Sequence, residues 1–306
     1  MSRGRAMAAG VAIDALLGDP RRGHPVAGFG RAAAALEPRW WAPSRPAGLA
    51  HVVALVGGAT VAAHLVERRL ASWPLAGSAL VALAVWATVG GRSLAAEARR
   101  VAGLVERGDL DAARRRVPAL VGRDPAGLDG AGLCRAAVES VAENTADAVV
   151  GPLIWCRAFG AAGAVGYRAA NTLDAMVGHR SARYARFGWA AARLDDALSW
   201  PAARLGALLA CLLAPAVGGD AGRALETLRR DGARHPSPNA GRMEAAFAGA
   251  LDVRLGGPLS YGGTIEDRPT LGHGRPPGPD DVRRAARLSR LVTLACAALL
   301  LGAGRR

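Results

Sequence analysis

Two apolar stretches in the first third of the chain constrain its fold most strongly. Residues 49–66 and 75–90 contain no Asp, Glu or Arg, and only the eight residues "ERRLASWP" separate them. Each stretch approaches the ~20 residues that a helix needs to cross a bilayer. So short a connection suits two neighbouring antiparallel helices. The sequence therefore predicts a transmembrane helical hairpin at 49–90.

The composition favours helices throughout. Apolar residues make up 51% of the chain and charged residues 21%, and alternation of β-branched residues is nearly absent. Three further apolar stretches, at 148–166, 203–219 and 288–303, are near or below the spanning length. The predicted fold class is all-α: a polytopic integral membrane protein with a transmembrane hairpin in its N-terminal half and a helical catalytic region on the cytoplasmic side.

We predict one domain over residues 1–306. It contains the hairpin at 49–90, a helical region with polar motifs at 91–287 and a C-terminal apolar helix at 288–303. Because six arginines lie between residues 167 and 204, placing that segment across the membrane is unfavourable. We therefore expect 148–166 and 203–219 to be core or half-inserted helices.

The positive charge is distributed as membrane topology predicts. The net charge is +14, with five arginines in residues 20–48, two in the hairpin loop and nine in 91–147. The positive-inside rule places both flanks of the hairpin in the cytoplasm. The arginines are dispersed and are not gathered with stacking aromatic residues, so we expect a lipid bilayer and no nucleic acid as partner.

Lysine is absent from the chain, which excludes several kinds of chemistry. A Walker phosphate loop, a Schiff-base mechanism and a lysine general base all require that residue. Arginine, helix N-termini and Mg²⁺ remain as means of holding phosphate. Cys134, Cys156, Cys211 and Cys296 lack metal-ligand or redox spacing, so buried, reduced thiols are expected.

The stretch "ESVAENTADAVVGPLIW" sets three acids directly before an apolar run. Glu139, Glu143 and Asp147 are four residues apart, and four helical residues advance only about 40° around the axis. The acids would therefore share one stripe and repel each other. Arginines, a cation such as Mg²⁺, or water must face them. A solvated face is the ordinary alternative, but the apolar neighbours favour a ligand or cation role, extended by Asn144.

Three later clusters carry further candidate residues. In "NTLDAMVGHR", Asn171 and Asp174 lie on one helical face. Asp195 and Asp196 follow in "RLDD", where helix capping or arginine pairing is the alternative explanation. In "HPSPNAG", Ser237 and Asn239 can cap a helix that begins near Ala240, which leaves His235 unexplained. "YGGTIEDRPTLG" predicts a turn.

Taken in order, "LLGDP", "HPV", "ESVAENTAD", "NTLDAMVGHR", "FGWAAARLDD", "HPSPNAG" and "RLGGP" resemble the CobD/CbiB family of cobalamin biosynthesis, the adenosylcobinamide-phosphate synthases. The resemblance runs from about residue 13 to 282. Two of these motifs, "HPSPNAG" and "ESVAENTAD", are long and specific. The departures are modest: Ala148 stands where the family often has Gly, His179 where Tyr is common, Ser199 where Asn is common, and Arg242 where an aromatic residue is usual.

The resemblance implies a multi-pass enzyme of the cytoplasmic membrane. Such an enzyme joins adenosylcobyric acid to aminopropanol phosphate, or to aminopropanol, through an amide bond. ATP as co-substrate and Mg²⁺ drive the step. The implied partners are these two substrates, the bilayer and other membrane enzymes of late cobalamin assembly.

The resemblance also implies a site. Glu139, Glu143 and His235 are the expected catalytic residues, with His235 as a base for the attacking amine, and Glu143 and Asp147 are the expected Mg²⁺ ligands. The expected substrate- and nucleotide-binding residues are Asn144, Asn171, Asp174, Arg180, Asp195, Asp196, Ser237, Asn239 and Tyr261. His235, Ser237 and Asn239 would face a phosphate or the corrinoid.

Two non-enzymatic alternatives remain. A transporter, or a sensor of the AmpE type, is compatible with a distant resemblance. A transporter needs polar residues in several well-formed spans and often an internal repeat, whereas here the best spans are apolar and no repeat is visible. An arginine-rich lipid-binding scaffold is the third possibility. The separation of the acids from the best spans favours an enzyme.

Overall fold

The computed structural model describes residues 2–20, 23–122, 124–179, 181–261 and 264–302, with the backbone alone at 259–261, 264–266 and 302. The chain forms two compact units. The first unit contains Met1–Gly90, Asp147–Ala202 and Ala297–Arg306, and the second contains Gly91–Ala146 and Ala203–Cys296. The single domain expected over 1–306 stays a prediction.

Helices account for most of the described chain. Polar side chains at Ser2, Ser44, Asp109, Asp129 and Asp220 accept N–H groups of the first turn and so start several of them. The helices are α1 (Arg3–Leu17), α2 (Pro25–Trp40), α3 (Arg45–Val52), α4 (Gly58–Arg69), α5 (Pro74–Thr88), α6 (Gly91–Glu106), α7 (Leu110–Arg116), α8 (Gly130–Thr145), α9 (Gly151–Val177), α10 (Trp189–Leu212), α11 (Ala221–Asp231), α12 (Ala240–Leu251) and α13 (Pro279–Gly302). Two π-helical turns, Val53–Gly57 and Ala146–Val150, precede α4 and α9.

In the first unit, α9 packs against α4 and α5, and α1 packs against α5. One face of α9 supplies Ala169, Ala170, Leu173 and Val177 to a buried core that also contains Phe187. These α9 residues recur every three or four positions, as a single helical face requires. The opposite face is left for polar side chains.

Helix α9 is broken at Phe159 and Gly160. Gly160 has a φ of +69°, and a side chain there would overlap the carboxylate of Glu67. The break frees backbone groups, which long side chains satisfy. Glu67 accepts the Ala162 N–H at 3.4 Å, and Arg3 donates to the carbonyl oxygens of residues 157 and 158 at 3.3 Å each. Non-helical backbone within an apolar segment requires such partners.

Three segments of the described chain are long and apolar enough to cross a membrane: Arg45–Arg69, Pro74–Glu106 and Gly130–Val177. The first two contain the stretches predicted to form the transmembrane hairpin. Only 17% of the most apolar window of the first segment is buried, against 61% of the third. The first therefore presents an apolar surface suited to lipid, whereas the third is mainly covered by protein. These segments support a membrane protein, and the crossing of the hairpin stays a prediction.

The second unit is built around α12, in which every residue except Arg242 is buried. Its small side chains let α8 and α11 pack closely against it. An antiparallel hairpin follows, with strands β1 (Leu255–Tyr261) and β2 (Thr264–Leu271) and a bulge between Leu255 and Gly257.

The helical prediction is confirmed for most of the chain, of which 76% is helical. The β-hairpin is the exception. The sequence "YGGTIEDRPTLG" was predicted as a turn, and an all-α fold contains no strands. Two glycines and a proline in β1 weaken any local strand signal. The strand forms because contacts from α8, described below, fix its first residues.

Candidate functional site

A polar cluster in the first unit joins three of the predicted residues. Asp147 lies in the π-helical turn before α9, Asn171 on α9 and Asp195 on α10. The Asn171 Nδ2 donates to Asp147 Oδ2 at 3.3 Å and to Asp195 Oδ1 at 3.2 Å. The amide therefore bridges two carboxylates that are 48 residues apart in the sequence. We call these three residues the acid cluster.

Three neighbours fix the acid cluster in place. Arg168 Nη1 donates to Asn171 Oδ1 at 3.1 Å, which orients the amide so that its NH₂ group faces the acids. The Ser199 hydroxyl donates to Asp195 Oδ1 at 3.4 Å and lies 3.0 Å from the Tyr167 hydroxyl. Tyr167 and Ser199 are buried, so the hydroxyl groups that fix the Asp195 side chain lie in the protein interior.

Burial controls the ionisation of Asp195. It raises the pKa of this carboxyl to about 6, against the opposing hydrogen bond from Asn171, and the adjacent charge of Asp196 adds to the rise. Burial also raises the pKa of Asp196, which Arg193 opposes. An acid with a pKa near 6 can exchange a proton at physiological pH.

The acid cluster offers oxygen ligands, but few of them. Within the described ranges, no group of three or more His, Cys, Asp or Glu side chains is arranged to hold a metal ion. Mg²⁺ differs from Zn²⁺ in this respect, because it typically binds one or two carboxylates together with water and phosphate oxygens. Asp147 offers carboxylate oxygens of this kind, and its role as a Mg²⁺ ligand stays a prediction.

Glu139, predicted as catalytic, has a structural partner. It is 4% exposed and lies on α8 in the second unit, where its Oε1 accepts the Gly256 N–H at 2.7 Å. Arg135, one turn earlier, donates to the Gly256 carbonyl at 2.7 Å. The N–H and the carbonyl of Gly256 are therefore both hydrogen-bonded to side chains of α8. Gly256 has a φ of +77°, a conformation that favours glycine.

These contacts predict how Glu139 responds to substitution. We expect Glu139→Gln to keep most of the stability, because the amide oxygen can still accept the Gly256 N–H. Glu139→Ala should lower the free energy of unfolding by about 1–3 kcal/mol, since it leaves a buried N–H unpaired. Thermal unfolding of both variants in detergent checks this. A Gln variant as unstable as the Ala variant would contradict the hydrogen-bonding role.

The "HPSPNAG" motif forms the entry to α12. Ser237 Oγ, rather than Asn239, accepts the N–H groups of Asn239 and Ala240, at 3.3 and 3.1 Å. The Asn239 Oδ1 instead accepts from Arg204 at 2.8 Å. Capping at this motif was predicted for both residues, and Ser237 provides it.

His235 has both ring nitrogens engaged. Nδ1 accepts the Ser237 N–H at 3.0 Å, and Nε2 lies 3.1 Å from Nη1 of Arg268. Because Nδ1 accepts, the neutral ring carries its proton on Nε2, and that atom then has no lone pair to take a proton from a substrate amine. The role of His235 as a base for the attacking amine stays a prediction.

Basic side chains surround this motif. Burial, and then the nearby charge of Arg242, lower the pKa of Arg204. The Nε of Arg242 is buried without a hydrogen-bond partner in the described part of the chain. Two guanidiniums close enough to repel each other favour a bound anion. The predicted phosphate- or corrinoid-facing role of this motif is compatible with that charge.

The remaining predicted residues lie on α8, near the end of α9 or outside the described residues. Glu143 is exposed on α8, and Asn144 donates to the carbonyl and hydroxyl of Ser140 within the same helix, at 3.0 and 3.3 Å. The carboxylate of Asp174 lies beside Gly178 at the end of α9. Arg180 and the side chain of Tyr261 lie outside the described residues. The pairing of Glu143 with Asp147 as Mg²⁺ ligands stays a prediction.

Several residues that support the candidate residues within each unit were not predicted from the sequence. Arg168, Ser199 and Tyr167 support the acid cluster, and Arg135 and Arg204 hold the hairpin and the "HPSPNAG" motif. The arginines could have been suspected, because the nearest neighbours of each in the sequence are mainly apolar, and an unpaired charge is costly in such surroundings. Ser199 and Tyr167 carry no such signal.

The comparisons with known proteins bear on this arrangement. The family described as "CobD/Cbib protein" matches residues 7–289. The chain belongs to the CobD/CbiB family. This match confirms the resemblance carried by the seven motifs and places both the acid cluster and the "HPSPNAG" motif inside the family region.

Curated relatives extend over almost the whole chain. "Cobalamin biosynthesis protein CobD" of Mycobacterium tuberculosis (strain ATCC 25618 / H37Rv) is 55% identical over 291 residues, covering 95% of this chain and 92% of that protein. The protein of the same name from Chromobacterium violaceum is 44% identical, with 95% and 93% covered. That from Rhodobacter capsulatus is 42% identical, with 93% and 92% covered. No solved structure matches the chain.

These relationships identify a CobD/CbiB cobalamin biosynthesis protein. They support a biosynthetic enzyme and imply corrinoid substrates. The three apolar segments indicate a membrane protein.

Proposed function

We propose that the protein condenses adenosylcobyric acid with aminopropanol phosphate, or with aminopropanol, in an ATP-dependent amide ligation. The observation that carries the proposal is the acid cluster, in which Asp147, Asn171 and Asp195 converge from separate segments. Amide formation needs an activated carboxylate and a deprotonated amine. ATP would activate the carboxylate as an acyl phosphate, and a positioned carboxylate can accept the proton that the amine loses.

Asp195 is the proton acceptor in this proposal. Its pKa of about 6 lies close to physiological pH, so it can accept a proton and release it again. Asn171 and Ser199 hold the same oxygen, Oδ1, and so fix the carboxyl plane. Such orientation keeps a catalytic group in a productive geometry.

Asp147 would hold Mg²⁺ in this proposal, with Glu143 as the second carboxylate. The bound ion would neutralise charge on the phosphoryl groups of ATP. Two features of Asp147 support Mg²⁺ binding: its carboxylate oxygens are ligands that Mg²⁺ prefers, and its side chain is half-buried. Arg204, Arg242 and Arg268 would bind an anionic group of the corrinoid substrate, because no lysine is available to do so.

We place the enzyme in the cytoplasmic membrane, as a multi-pass protein with both flanks of the 49–90 hairpin in the cytoplasm. The arginine distribution supports this orientation. The helical polar regions would then meet ATP on the side where it is available.

Incubation of purified, detergent-solubilised protein with adenosylcobyric acid, aminopropanol phosphate, ATP and Mg²⁺ tests the proposal. Mass spectrometry should detect the amide product, and omission of ATP should abolish it. A parallel reaction with free aminopropanol determines which amine is used. If folded protein forms no product with either amine, the ligase proposal is refuted, and a sensor or transporter function is favoured instead.

The Mg²⁺ role predicts a specific kinetic change. Asp147→Asn preserves the size of the side chain but removes the charge, so the amide-forming rate should fall by about 10²-fold or more. The Mg²⁺ concentration for half-maximal rate should rise, and the same direction is expected for Glu143→Gln. Titration of Mg²⁺ in the amide assay measures both effects.

Glu226→Gln is the matched control for these variants, because Glu226 is an exposed acid of α11, outside the predicted metal ligands. It should keep the wild-type rate and Mg²⁺ dependence. An Asp147→Asn protein with wild-type Mg²⁺ dependence would show that this carboxylate holds no metal.

A further inference from the structure

The second unit contains a cavity of about 590 Å³ between the start of α8 and the base of the β-hairpin. Ligand pockets typically have volumes of ~300–1,000 Å³, so this space can accept a molecule the size of a nucleotide. None of the predicted site residues with described side chains lines it. The side chains that decide its chemistry are Leu128, Asp129, Arg135, Arg254, Pro258 and Pro277.

Two guanidiniums give one wall of the cavity a positive charge. Arg254 is exposed, and its side chain has no hydrogen bond or ion pair with any described residue. Arg135 donates to the carbonyls of Gly256 and Pro258, at 2.7 and 3.4 Å, while its Nε is buried without a partner. Neither guanidinium forms an ion pair with a described carboxylate, and Asp129, which also lines the cavity, accepts a backbone N–H. Two arginines and one aspartate give the described lining a net positive charge, which attracts anions.

The backbone beside Arg135 is shaped for close approach. Gly257 has a φ of +84°, and a side chain at this position would lie 3.2 Å from Arg135 Nη1. Glycine therefore lets the guanidinium lie against the strand and keeps the wall open. Asp129 caps α8 by accepting the Gly132 N–H at 2.7 Å. The Asp129 side chain therefore occupies the N-terminus of α8. The positive charge of the cavity comes from Arg135 and Arg254.

The rest of the cavity lining is mixed. Leu128, Pro258 and Pro277 are apolar, whereas Thr270 and Asp129 are polar. Apolar side chains and a hydroxyl beside two guanidiniums suit a ligand that has an uncharged body and a phosphoryl group. Inorganic phosphate alone would leave most of the volume unfilled.

We infer that this cavity binds the phosphoryl group of a small phosphorylated substrate. The inference rests on the proposed ligation, which supplies two such molecules, a nucleoside triphosphate and a phosphorylated amino alcohol. Both present the same chemistry to Arg135 and Arg254.

Isothermal titration calorimetry on the full chain in detergent tests the inference with three probes: ATP with Mg²⁺, aminopropanol phosphate and inorganic phosphate. Arg254→Gln should weaken binding of the organic phosphorylated ligand about tenfold, because one charge-assisted hydrogen bond is lost. Folding should be unaffected, since Arg254 supports no other described side chain. Arg229→Gln, an exposed arginine of α11 away from the cavity, should leave binding unchanged.

The probe whose affinity falls identifies the source of the phosphoryl group. The inference is overturned if wild-type protein binds none of the probes, if Arg254→Gln binds all of them as wild type does, or if Arg229→Gln loses as much affinity. Binding is measured without amide synthesis, so the two proposals fail separately. Wild-type binding without amide product counts against the ligase alone, and amide synthesis with unchanged Arg254→Gln binding counts against the cavity alone.

Discussion

An Asp195→Asn protein is expected to lose amide-forming activity by about 10²–10⁴-fold, the range typical of a lost general base. It should also become more stable. Burial raises the pKa of Asp195 to about 6, which means that the ionised carboxylate is unfavourable in the fold. Asparagine keeps the shape and an oxygen that can accept from Ser199, but it removes the buried charge. The gain at neutral pH should be on the order of 1–3 kcal/mol.

Rate and melting temperature must be measured on the same preparation. Asp111→Asn is the control, because its side chain is 80% exposed on α7, and it should change neither quantity. A structural role for Asp195 predicts instead that activity and stability fall together. Wild-type turnover in Asp195→Asn would show that the acid cluster does not take part in catalysis.

Replacing Asp231 by asparagine is expected to destabilise the second unit strongly. Asp231 is fully buried at the end of α11, where Arg230 donates to both of its oxygens at 3.0 and 2.8 Å. The Gly272 N–H donates at 2.9 Å and Arg234 at 3.4 Å. Removing the charge from such a network should cost about 2–4 kcal/mol. Unfolding followed by circular dichroism in detergent measures the loss.

The pH dependence of this effect follows from the pKa of Asp231. The hydrogen bonds from Arg230, and to a lesser extent from Gly272, lower it to about 2. The stabilisation is therefore fully present above the pKa of the unfolded chain, about 4, and is lost as the pH falls through about 2. The stability difference between wild type and Asp231→Asn should shrink over that range.

Asp267→Asn serves as the control for this prediction, because Asp267 is exposed on β2. It should leave the stability unchanged throughout the pH range. A difference between wild type and Asp231→Asn that persists at pH 2 would contradict the charge-based account.

Much of the helical architecture could be predicted from hydropathy. The stretches 49–66 and 75–90 fall within Arg45–Arg69 and Pro74–Glu106, because a long run without charged residues has few alternatives to an apolar helix. The β-hairpin could not be predicted in the same way. Its glycines oppose strand formation locally, and the strand depends on Arg135 and Glu139, more than 100 residues earlier.

The candidate site was predictable as a set of residues but not as a geometry. Spacing indicated that Glu139, Glu143 and Asp147 share a stripe, whereas Glu139 is buried, Glu143 is exposed and Asp147 lies in a π-helical turn. A π turn changes the number of residues per turn, so the four-residue rule fails there. The bridge that Asn171 makes between Asp147 and Asp195 depends on tertiary packing. No single-segment pattern contains that information.

Transfer of an isotopic label tests the central claim most directly. Adenosylcobyric acid carrying ¹⁸O in its free carboxylate is condensed with aminopropanol phosphate in the presence of ATP and Mg²⁺. If the protein activates the carboxylate with ATP, one ¹⁸O per amide formed should appear in the phosphate released, or in AMP if the intermediate is an acyl adenylate. Asp195→Asn should reduce amide and label transfer together. Amide formation without transfer of ¹⁸O, or no amide from folded wild-type protein, would contradict the account.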